Sequence, residues 1–474
     1  MRRTKIVATI GPATRDPAKL HELIGAGVDV VRLNFAHDSL DQHAKVAVAA
    51  RQAASDHGRI IGVLADLPGP KMRTGPFGGG QAELATGNKF RLVSDDVDGD
   101  SERVSTSVDN LPELVEEGHE IYLADGEVVL KVTGTEDGSV ITDVVRGGVV
   151  RSRKGMHLPQ AELKMQAFTT DDEKALHAAI EMEVDLVGLS FVRDARDLER
   201  ARSALPPGGV SPQLVAKIET ASAVENLDPI IAASDAVMVA RGDLGIQTPL
   251  RDVPLVQKRI IRKCNQAGKP VITATEMLES MTDEPLPTRA EVTDVANAVF
   301  DGTDALMLSE ETAVGRYPVE VVQTMNDIAV SAETRKPRRP LQEEIRGGPD
   351  RDRVAWAVAH AAVEAAEDVG ATAILSVTRT GSTPRRVAAY RPSMPIGGVS
   401  GFMDCLGALA LCRGVQPLRV GEQQEAISIR EEIERAVSIA RASGFVREGD
   451  LVVVVAGSPG PRAGATDFMR VAQV

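Results

Sequence analysis

Eight short apolar runs, most of them separated by amphipathic stretches of helical length, constrain the fold of this chain more than any other feature. The helical stretches include residues 17–26, 171–183 and 253–267. Near-continuous apolar strands that alternate with helices predict an α/β fold, a parallel (β/α)₈ TIM barrel with its chemistry at the carboxyl ends of the strands. An open doubly wound sheet is the alternative, although no strand carries the glycine fingerprint of a dinucleotide site. The apolar runs are residues 5–10, 28–35, 60–65, 185–191, 214–218, 236–240, 270–274 and 305–308.

The alternation breaks between the third run and the fourth. Residues 72–157 contain short alternating pieces with Asp-Gly turns at 125–126 and 137–138, which predict a small inserted β-barrel-like domain. Such an insertion is either a lid that closes over the site or a tolerated surface loop. Beyond a basic linker at 336–340, a helical pattern and two apolar strands predict a C-terminal α/β domain. We expect a discontinuous barrel domain (1–71 and 158–336), an inserted β domain (72–157) and a C-terminal regulatory domain (337–474).

Composition and charge exclude several classes of function. A formal net charge of -14 argues against a nucleic-acid or anionic-membrane partner, because either needs a broad basic face. No run reaches the roughly 18 apolar residues of a membrane helix, and no signal-peptide core is present, so we expect a cytoplasmic protein. Three cysteines at unrelated spacings, Cys264, Cys405 and Cys412, are typical of reduced structural thiols.

Charged residues at the ends of the fifth and sixth runs predict phosphate chemistry. Lys217 and Glu219 project to the same face of a strand, because strand side chains alternate. Glu219 and Asp243 close adjacent strands, and two carboxylates with room for water and substrate oxygens favour Mg²⁺ or Mn²⁺ over zinc. Lys217 is suited to stabilising a phosphoryl group in transfer or a developing enolate. The alternative for all three is a set of structural ion pairs.

Polar residues at other strand ends extend this pattern. Arg32 and Asn34 repeat the spacing at the second run, where the planar fork of Arg32 can clamp a phosphate. His37 follows, and contact with a nucleotide or a surface role fits it equally well. Thr273 and Thr275 share a face at the seventh run, where a hydroxyl can pass a proton through water or bond the backbone.

Arg73 and Lys154 flank the two junctions of the predicted insertion. Basic groups at such hinges can reach nucleotide phosphates, or they are solvated surface charges.

Five motifs together resemble the pyruvate kinase family over nearly the whole chain. They are TKIVATIGP at 4–12, VRLNFAH at 31–37, MVARGDLG at 238–245, TEMLESM at 275–281 and PTRAEV at 287–292. The resemblance implies transfer of the phosphoryl group of phosphoenolpyruvate to ADP, followed by protonation of enolpyruvate to pyruvate. It also implies a homotetramer.

The resemblance assigns roles to individual residues. Glu219 and Asp243 match the divalent-metal ligands, Lys217 the cation at the transferred phosphoryl group, and Thr275 the proton relay. Arg32 and Arg73 match phosphate clamps. The substrate carboxylate and phosphate are expected at the backbone of Ala240, Arg241, Gly242 and Asp243, and ADP at Asn34, His37, Arg73 and Lys154.

The chain departs from family members that depend on a monovalent cation. Those members carry Asn-Phe-Ser and Asp-Thr-Lys-Gly-Pro-Glu, where this chain has NFA at 34–36 and DLPGPK at 66–71. Two hydroxyl positions have become Ala36 and Leu67, and an acidic position has become Lys71. We hypothesise activity without K⁺, with the Lys71 ammonium in the place of the ion and Asn34, Asp66 and Leu67 lining a vestigial site. The alternative is that Lys71 points to solvent and a weakened site still binds K⁺.

Other departures are Glu276 and Glu310, where relatives usually show Gln and Gly. In the C-terminal domain, the loop between a buried strand and a helix is rich in hydroxyls, and in the family it can receive a phosphorylated effector such as a sugar phosphate or AMP. An ordinary helix cap explains the loop equally well. The candidate effector residues are Thr378, Arg379, Thr380, Gly381, Ser382, Thr383 and, in a companion loop, Arg462.

Two other functions fit part of this pattern. A metal-dependent aldolase or lyase also stabilises an enolate with Mg²⁺ and carboxylates. A catalytically silent metabolite sensor would act through the C-terminal domain alone.

Overall fold

The computed structural model describes residues 2–70, 72–108, 110–160, 166–206, 211–335, 353–421, 428–457 and 466–474. The strands are β1 (Lys5–Thr9), β2 (Val30–Asn34), β3 (Gly62–Asp66), β4 (Gln81–Leu84), β5 (Lys89–Val93), β6 (Arg103–Ser105), β7 (Glu120–Leu123), β8 (Val128–Glu136), β9 (Ser139–Arg146), β10 (Gly148–Arg151), β11 (Met156–His157), β12 (Leu186–Leu189), β13 (Gln213–Ile218), β14 (Ala236–Ala240), β15 (Val271–Ala274), β16 (Ala305–Leu308), β17 (Ala373–Val377), β18 (Ile396–Ser400), β19 (Val415–Arg419), β20 (Leu451–Ala456) and β21 (Phe468–Gln473).

The helices alternate with the strands of the barrel and of the last sheet. They are α1 (Pro17–Gly25), α2 (Leu40–Asp56), α3 (Leu111–Leu114), α4 (Thr170–Glu181), α5 (Ala195–Ser203), α6 (Ala221–Glu225), α7 (Leu227–Ala233), α8 (Arg241–Gln247), α9 (Val253–Ala267), α10 (Arg289–Asp301), α11 (Glu310–Ala313), α12 (Pro318–Arg335), α13 (Arg353–Asp368), α14 (Ser382–Ala389), α15 (Met403–Leu409) and α16 (Ile429–Ala442). None of these helices is both long enough and apolar enough to cross a bilayer.

Eight parallel strands close into a barrel in the order β1-β16-β15-β14-β13-β12-β3-β2. The predicted TIM barrel is thus confirmed, and closure excludes the open sheet. Each of the eight predicted runs overlaps a barrel strand. The fourth run is longer than β12, because Phe191 has a left-handed φ of 55° that ends the extended backbone.

Local sequence explains where the helices begin. Pro17 starts α1 after Asp16, whose side chain accepts the Ala18 N–H. Thr288 and Glu291 form a reciprocal capping box at the start of α10.

The inner face of the barrel changes from apolar to polar along four of its strands. Val7, Val30, Leu64 and Val215 belong to one buried cluster inside the barrel. Two positions further along the same strands stand Thr9, Arg32, Asp66 and Lys217, which the alternation of side chains places on the same face. The carboxyl end of the barrel therefore collects polar groups over an apolar interior.

The amino end of the barrel carries a repeated aspartate. Asp29, Asp185, Asp235 and Asp304 directly precede β2, β12, β14 and β16, every second strand of the barrel. Each carboxylate accepts a backbone N–H from the preceding barrel strand, at Ile6, Val63, Leu214 and Val271, over 2.8 to 3.1 Å. Each bond gives a backbone N–H near the beginning of a strand a hydrogen-bond partner, so these four N–H groups are satisfied by protein atoms.

The insertion and the last domain are sheets with their own apolar clusters. The insertion has a six-stranded sheet, β11-β7-β8-β9-β5-β6, and a pair, β10-β4. Its turn at Asp137 and Gly138 has φ of 48° and 73°, as a tight hairpin requires. The last sheet has the order β19-β18-β17-β20-β21, with only β21 antiparallel. The exact domain boundaries stay a prediction.

The C-terminal domain closes the amino end of the barrel. Ala410 and Leu411, which follow α15, belong to the apolar cluster inside the barrel. Lys5 Nζ donates to Val415 O over 2.7 Å, and Gly414 N–H donates to Arg3 O over 2.9 Å. The three cysteines are buried and form no disulfide.

Candidate active site

Lys217 lies at the centre of the polar cluster at the carboxyl end of the barrel. Its Nζ contacts Asp66 Oδ1 at 3.1 Å and Glu219 Oε1 at 2.9 Å, and donates to Ser190 Oγ over 2.6 Å. Ser190 Oγ donates in turn to Leu67 O over 2.7 Å. The ammonium is thus held by groups from the ends of β3, β12 and β13.

Arg32 is tied into the same network from β2. Its Nε donates to Asp66 Oδ2 over 2.7 Å and its Nη1 to Thr9 Oγ1 over 2.9 Å. Asp66 therefore bridges Arg32 and Lys217 with its two oxygens. This bridge fixes the two cations near one another, where an anion is the natural third partner.

Burial and charge shift the pKa values of this cluster in opposite directions. Burial alone would lower the pKa of Lys217, but the carboxylates of Asp66 and Glu219 raise it above its ordinary value. Burial opposes the ionised form of Asp66, yet Lys217 and Arg32 keep its pKa below the ordinary value. Lys217 therefore stays a cation, as the sequence-based role requires.

Glu219 and Asp243 form a like-charged pair beside Lys217. Burial raises the pKa of Glu219, and the charge of Asp243 raises it further against the opposing effect of Lys217. A divalent cation between two such carboxylates would remove this repulsion, so the oxygen donors fit Mg²⁺. No cluster of three or more Asp, Glu, His or Cys suited to a metal occurs among the described residues.

Thr275 lies in a turn at the end of β15. Its Oγ1 accepts the Gly242 N–H over 2.9 Å and donates to Ala274 O over 2.7 Å. Thr275 and Glu276 have φ of 65° and 51°, which is strained for side-chain-bearing residues. The expected shared face of Thr273 and Thr275 is wrong, because this turn breaks the alternation and Thr273 instead donates to Thr303 over 3.0 Å.

The chain is similar to known proteins of one family along nearly its whole length. A family model for the barrel domain of pyruvate kinase matches residues 1–322, and one for its alpha/beta domain matches residues 356–472. A pyruvate kinase of Sporosarcina psychrophila is 42% identical over 99% of this chain and 80% of its own length. That of Thermococcus litoralis is 40% identical, covering 100% of this chain and 98% of its own. The pyruvate kinase of Mycobacterium tuberculosis is 39% identical with the same coverage.

The chain belongs to the pyruvate kinase family. It is accordingly a phosphotransferase, and its reaction is the transfer of the phosphoryl group of phosphoenolpyruvate to ADP, which yields pyruvate and ATP. Enzymes of this family generally use Mg²⁺. The aldolase and sensor alternatives are not supported by these similarities.

The residues of this chain that are predicted to bind the nucleotide lie in two places. Arg73 and Lys154 come together, since Arg73 pairs with Gly155 in a β-bridge at the base of the insertion. Arg73 Nη1 donates to Arg153 O over 3.0 Å, whereas Lys154 is exposed. Asn34 Oδ1 accepts the Ala36 N–H over 3.1 Å, and His37 is exposed beyond it. Their contact with ADP stays a prediction.

The described residues of the predicted vestigial K⁺ site make other contacts. The Leu67 side chain is 1% exposed and lies in the main apolar cluster. Both oxygens of Asp66 already contact cations, and Asn34 Oδ1 is bonded to the backbone. Lys71, the predicted substitute for the ion, lies outside the described residues.

The predicted effector loop runs from β17 into α14. Thr378 Oγ1 accepts the Gly381 N–H over 2.9 Å, and Thr380 Oγ1 donates to Ser382 Oγ over 3.2 Å. Thr383 Oγ1 is 2.7 Å from Thr466 Oγ1, while Arg379 lies over the ring of Phe402. Arg462 of the companion loop lies outside the described residues.

Two residues of the site were missed by sequence reasoning. Ser190 was treated only as part of an apolar run, although a hydroxyl at a strand end was a usable signal. Glu311 is 2% exposed, and its oxygens accept the Ser309 N–H over 2.6 Å and the Leu278 N–H over 3.2 Å. It joins the turns after β15 and β16, which no sequence pattern indicates. Arg241 was expected to contribute its backbone, but its side chain contacts the β15 turn.

Proposed function

We propose that phosphoryl transfer takes place at the carboxyl end of the barrel, with Lys217 beside the transferred group and the enol oxygen. The observation that supports this most directly is the position of the Lys217 ammonium, buried and held by Asp66, Ser190 and Glu219. A cation fixed in this way needs no reorganisation when negative charge develops on the enol oxygen. Arg32, fixed by Asp66, clamps the phosphate of phosphoenolpyruvate.

Glu219 and Asp243 are proposed to hold the divalent metal. When bound, the metal supplies positive charge to the oxygens of phosphoenolpyruvate and ADP. The backbone of residues 240–243 receives the substrate carboxylate and phosphate region. Because the Gly242 N–H is bonded to Thr275 Oγ1, this region and the proton relay are in direct contact.

Thr275 is proposed to pass a proton to the enolate through ordered water. A threonine hydroxyl is too weak an acid to act alone, but it can relay a proton within a bonded chain. Its oxygen accepts one N–H, so its second lone pair can accept a hydrogen from water, and its own hydrogen, now directed at Ala274 O, must turn toward the enolate side to be passed on.

ADP is proposed to bind between the barrel rim and the insertion. Arg73 and Lys154 supply positive charge to its phosphates, and Asn34 and His37 lie on the second strand end. Closure of the insertion then excludes water from the transferred phosphoryl group.

Activity without K⁺ is part of the proposal. Ala36 and Leu67 supply no side-chain oxygen, and the Asp66 carboxylate is saturated by two cations. The Lys71 ammonium supplies the charge that K⁺ would provide. A phosphorylated effector at residues 378–383, a homotetramer and a cytoplasmic location complete the proposal.

A coupled assay with Mg²⁺ tests this function, with tetramethylammonium as the only monovalent cation. We expect pyruvate formation from phosphoenolpyruvate and ADP at a rate that added K⁺ changes by less than about twofold. No turnover until K⁺ is added would reject K⁺ independence and leave the reaction itself intact. The K71E variant is the matched control, in which added K⁺ should raise the rate. Titration of the same assay with a sugar phosphate or AMP tests the effector loop.

A further inference from the structure

We propose that Arg241 is a positioning residue for enolate protonation. Its guanidinium holds the turn after β15 in the conformation that aims the Thr275 hydroxyl. This inference rests on the proposed role of Thr275 and adds to it the group that keeps this hydroxyl in place.

The guanidinium of Arg241 reaches from β14 across to three successive carbonyls of the neighbouring strand end. Nε donates to Ala274 O over 3.1 Å, and Nη2 donates to Thr275 O and, over 3.2 Å, to Glu276 O. Nη2 also lies 2.9 Å from Met277 Sδ. One side chain thus contacts every residue of the segment 274–277.

That segment needs an external restraint. Thr275 and Glu276 are consecutive left-handed residues, with φ of 65° and 51°, and Thr275 is β-branched. Such conformations persist only where the surrounding structure fixes them. In a left-handed turn the carbonyls turn away from the strand ladder, and Arg241 donates hydrogen bonds to them.

Arg241 is itself anchored on its other side. Nη1 donates to Asp294 Oδ2 of α10 over 2.6 Å and lies 3.5 Å from Gln257 Oε1 of α9. The side chain is 10% exposed. Both edges of the guanidinium are therefore occupied by protein acceptors, which leaves little capacity for a substrate anion.

The consequence for Thr275 follows from the same contacts. Its Oγ1 accepts the N–H of Gly242, the residue that follows Arg241. The Arg241 side chain and the Gly242 backbone N–H therefore hold the turn from two sides. Loss of the guanidinium would free the turn to relax toward ordinary φ and would carry the hydroxyl away from Gly242.

A lysine at this position cannot restore the arrangement. Its ammonium is a point donor and lacks the planar fork that spans several carbonyls and Asp294 at once. The conservative variant should therefore recover only part of the effect.

Three variants and one matched control test the proposal, namely R241M, R241K and D294N against R251M, whose arginine side chain is 84% exposed. The first readout is amide hydrogen exchange of residues 275–278. The second is exchange of the methyl protons of pyruvate with deuterated solvent in the presence of Mg²⁺ and ATP, compared with the rate of phosphoryl transfer.

We expect R241M to accelerate amide exchange in the turn and to slow proton exchange by up to about 100-fold. The rate of phosphoryl transfer and the KM for phosphoenolpyruvate should change less. R241K and D294N should lie between R241M and wild type, and R251M should match wild type. Unchanged amide exchange in all three variants, or equal losses in both reactions, would overturn the proposal.

A double variant separates this proposal from the role of Thr275. In a T275A background, R241M should slow proton exchange no further, because the hydroxyl that it positions is already gone. A full additional loss would overturn the proposal. If T275A alone leaves proton exchange unchanged, the proposed relay fails, and amide exchange in R241M still decides whether Arg241 holds the turn.

Discussion

The two ends of the barrel use buried charges in opposite ways. At the amino end, one aspartate before every second strand accepts a backbone N–H from its neighbour, in a pattern repeated four times. At the carboxyl end nothing repeats, and Lys217, Asp66, Glu219 and Arg32 converge on one side of the opening. A repeated pattern of satisfied polar groups is typical of a part of the barrel that provides stability. An irregular cluster of charges is typical of a functional site.

Left-handed turns and packing add to this comparison. Phe191, Thr275 and Glu276 follow barrel strands at the carboxyl end with φ between 51° and 65°. At the amino end, Leu411 of the C-terminal domain completes the apolar interior. The carboxyl end thus combines left-handed turns with an irregular charged cluster, and the amino end is closed by packing. The following changes should break or sharpen this contrast.

The largest difference should appear between two buried lysines, one at each end. The K217M variant removes the cation beside the transferred phosphoryl group, so we expect kcat to fall by about 1,000-fold. In K5M the lost ammonium is one that, within the described part of the chain, contacts Val415 O and Asp29 at the amino end, so kcat per folded molecule should stay within about threefold of wild type. Steady-state kinetics with Mg²⁺ measures both. Similar losses of kcat in the two variants would contradict the assignment of chemistry to the carboxyl end.

Truncation of Leu411, which packs inside the amino end of the barrel, should lower stability and leave catalysis unchanged. Leu411 is fully buried inside the barrel, so L411A should lower the free energy of unfolding by about 2 to 5 kcal/mol through lost burial and a residual cavity. Thermal unfolding followed by circular dichroism measures the change, with L250A as control because Leu250 is 77% exposed. A wild-type melting temperature for L411A would show that the C-terminal domain does not stabilise the barrel.

Loss of one carboxylate at the carboxyl end should weaken the metal. The E219Q variant keeps the shape of Glu219 but removes its charge, so the Kd for Mn²⁺ should rise by roughly 100-fold. The E279Q variant is the control, since Glu279 is an exposed carboxylate on the same rim. Titration calorimetry measures both constants. An unchanged Kd in E219Q would remove Glu219 from the ligand set.

The smallest expected effect is that of Asp185, one of the four aspartates that precede alternate barrel strands. The pKa of Asp185 is raised above its ordinary value. Burial raises its pKa to about 7, and Asp404 of α15 adds to this against the Val63 N–H and Arg51 of α2. By contrast, although burial opposes ionisation of Asp29, Arg2, Lys5 and Arg59 hold its pKa at about 2. Asp185 has no ion-pair partner in the described part of the chain.

A pKa raised from its unfolded value means that the protonated form favours folding and that its contribution is lost as pH rises through about 7. As pH rises from 6 to 8, the titration of Asp185 should therefore lower the free energy of unfolding by about 1.4 kcal/mol. In D185N this loss should disappear from the pH dependence of denaturant unfolding. A D185N profile parallel to that of wild type would show that Asp185 does not titrate in this range.

Sequence reasoning predicted part of the polar cluster at the carboxyl end, because strand periodicity is simple. Spacing placed Lys217 and Glu219 on one face and Glu219 and Asp243 on neighbouring strands, and the structure brings Lys217 and Glu219 within 2.9 Å. It failed at Thr273 and Thr275, where a left-handed turn cancels the alternation. It also missed Ser190, which contacts Leu67, and Glu311, which contacts Leu278, because these partners are distant in the chain.

The amino-acid sequence by itself determined the order of strands and helices, because apolar periodicity and helix caps act over a few residues. It also determined the family, through motifs that are contiguous in the chain. Only the tertiary structure decided that Asp66 joins Arg32 to Lys217, that Arg241 turns toward Thr275, and that Leu411 fills the barrel. Those contacts depend on closure of the barrel, which brings together side chains that are between about 30 and 400 residues apart along the chain.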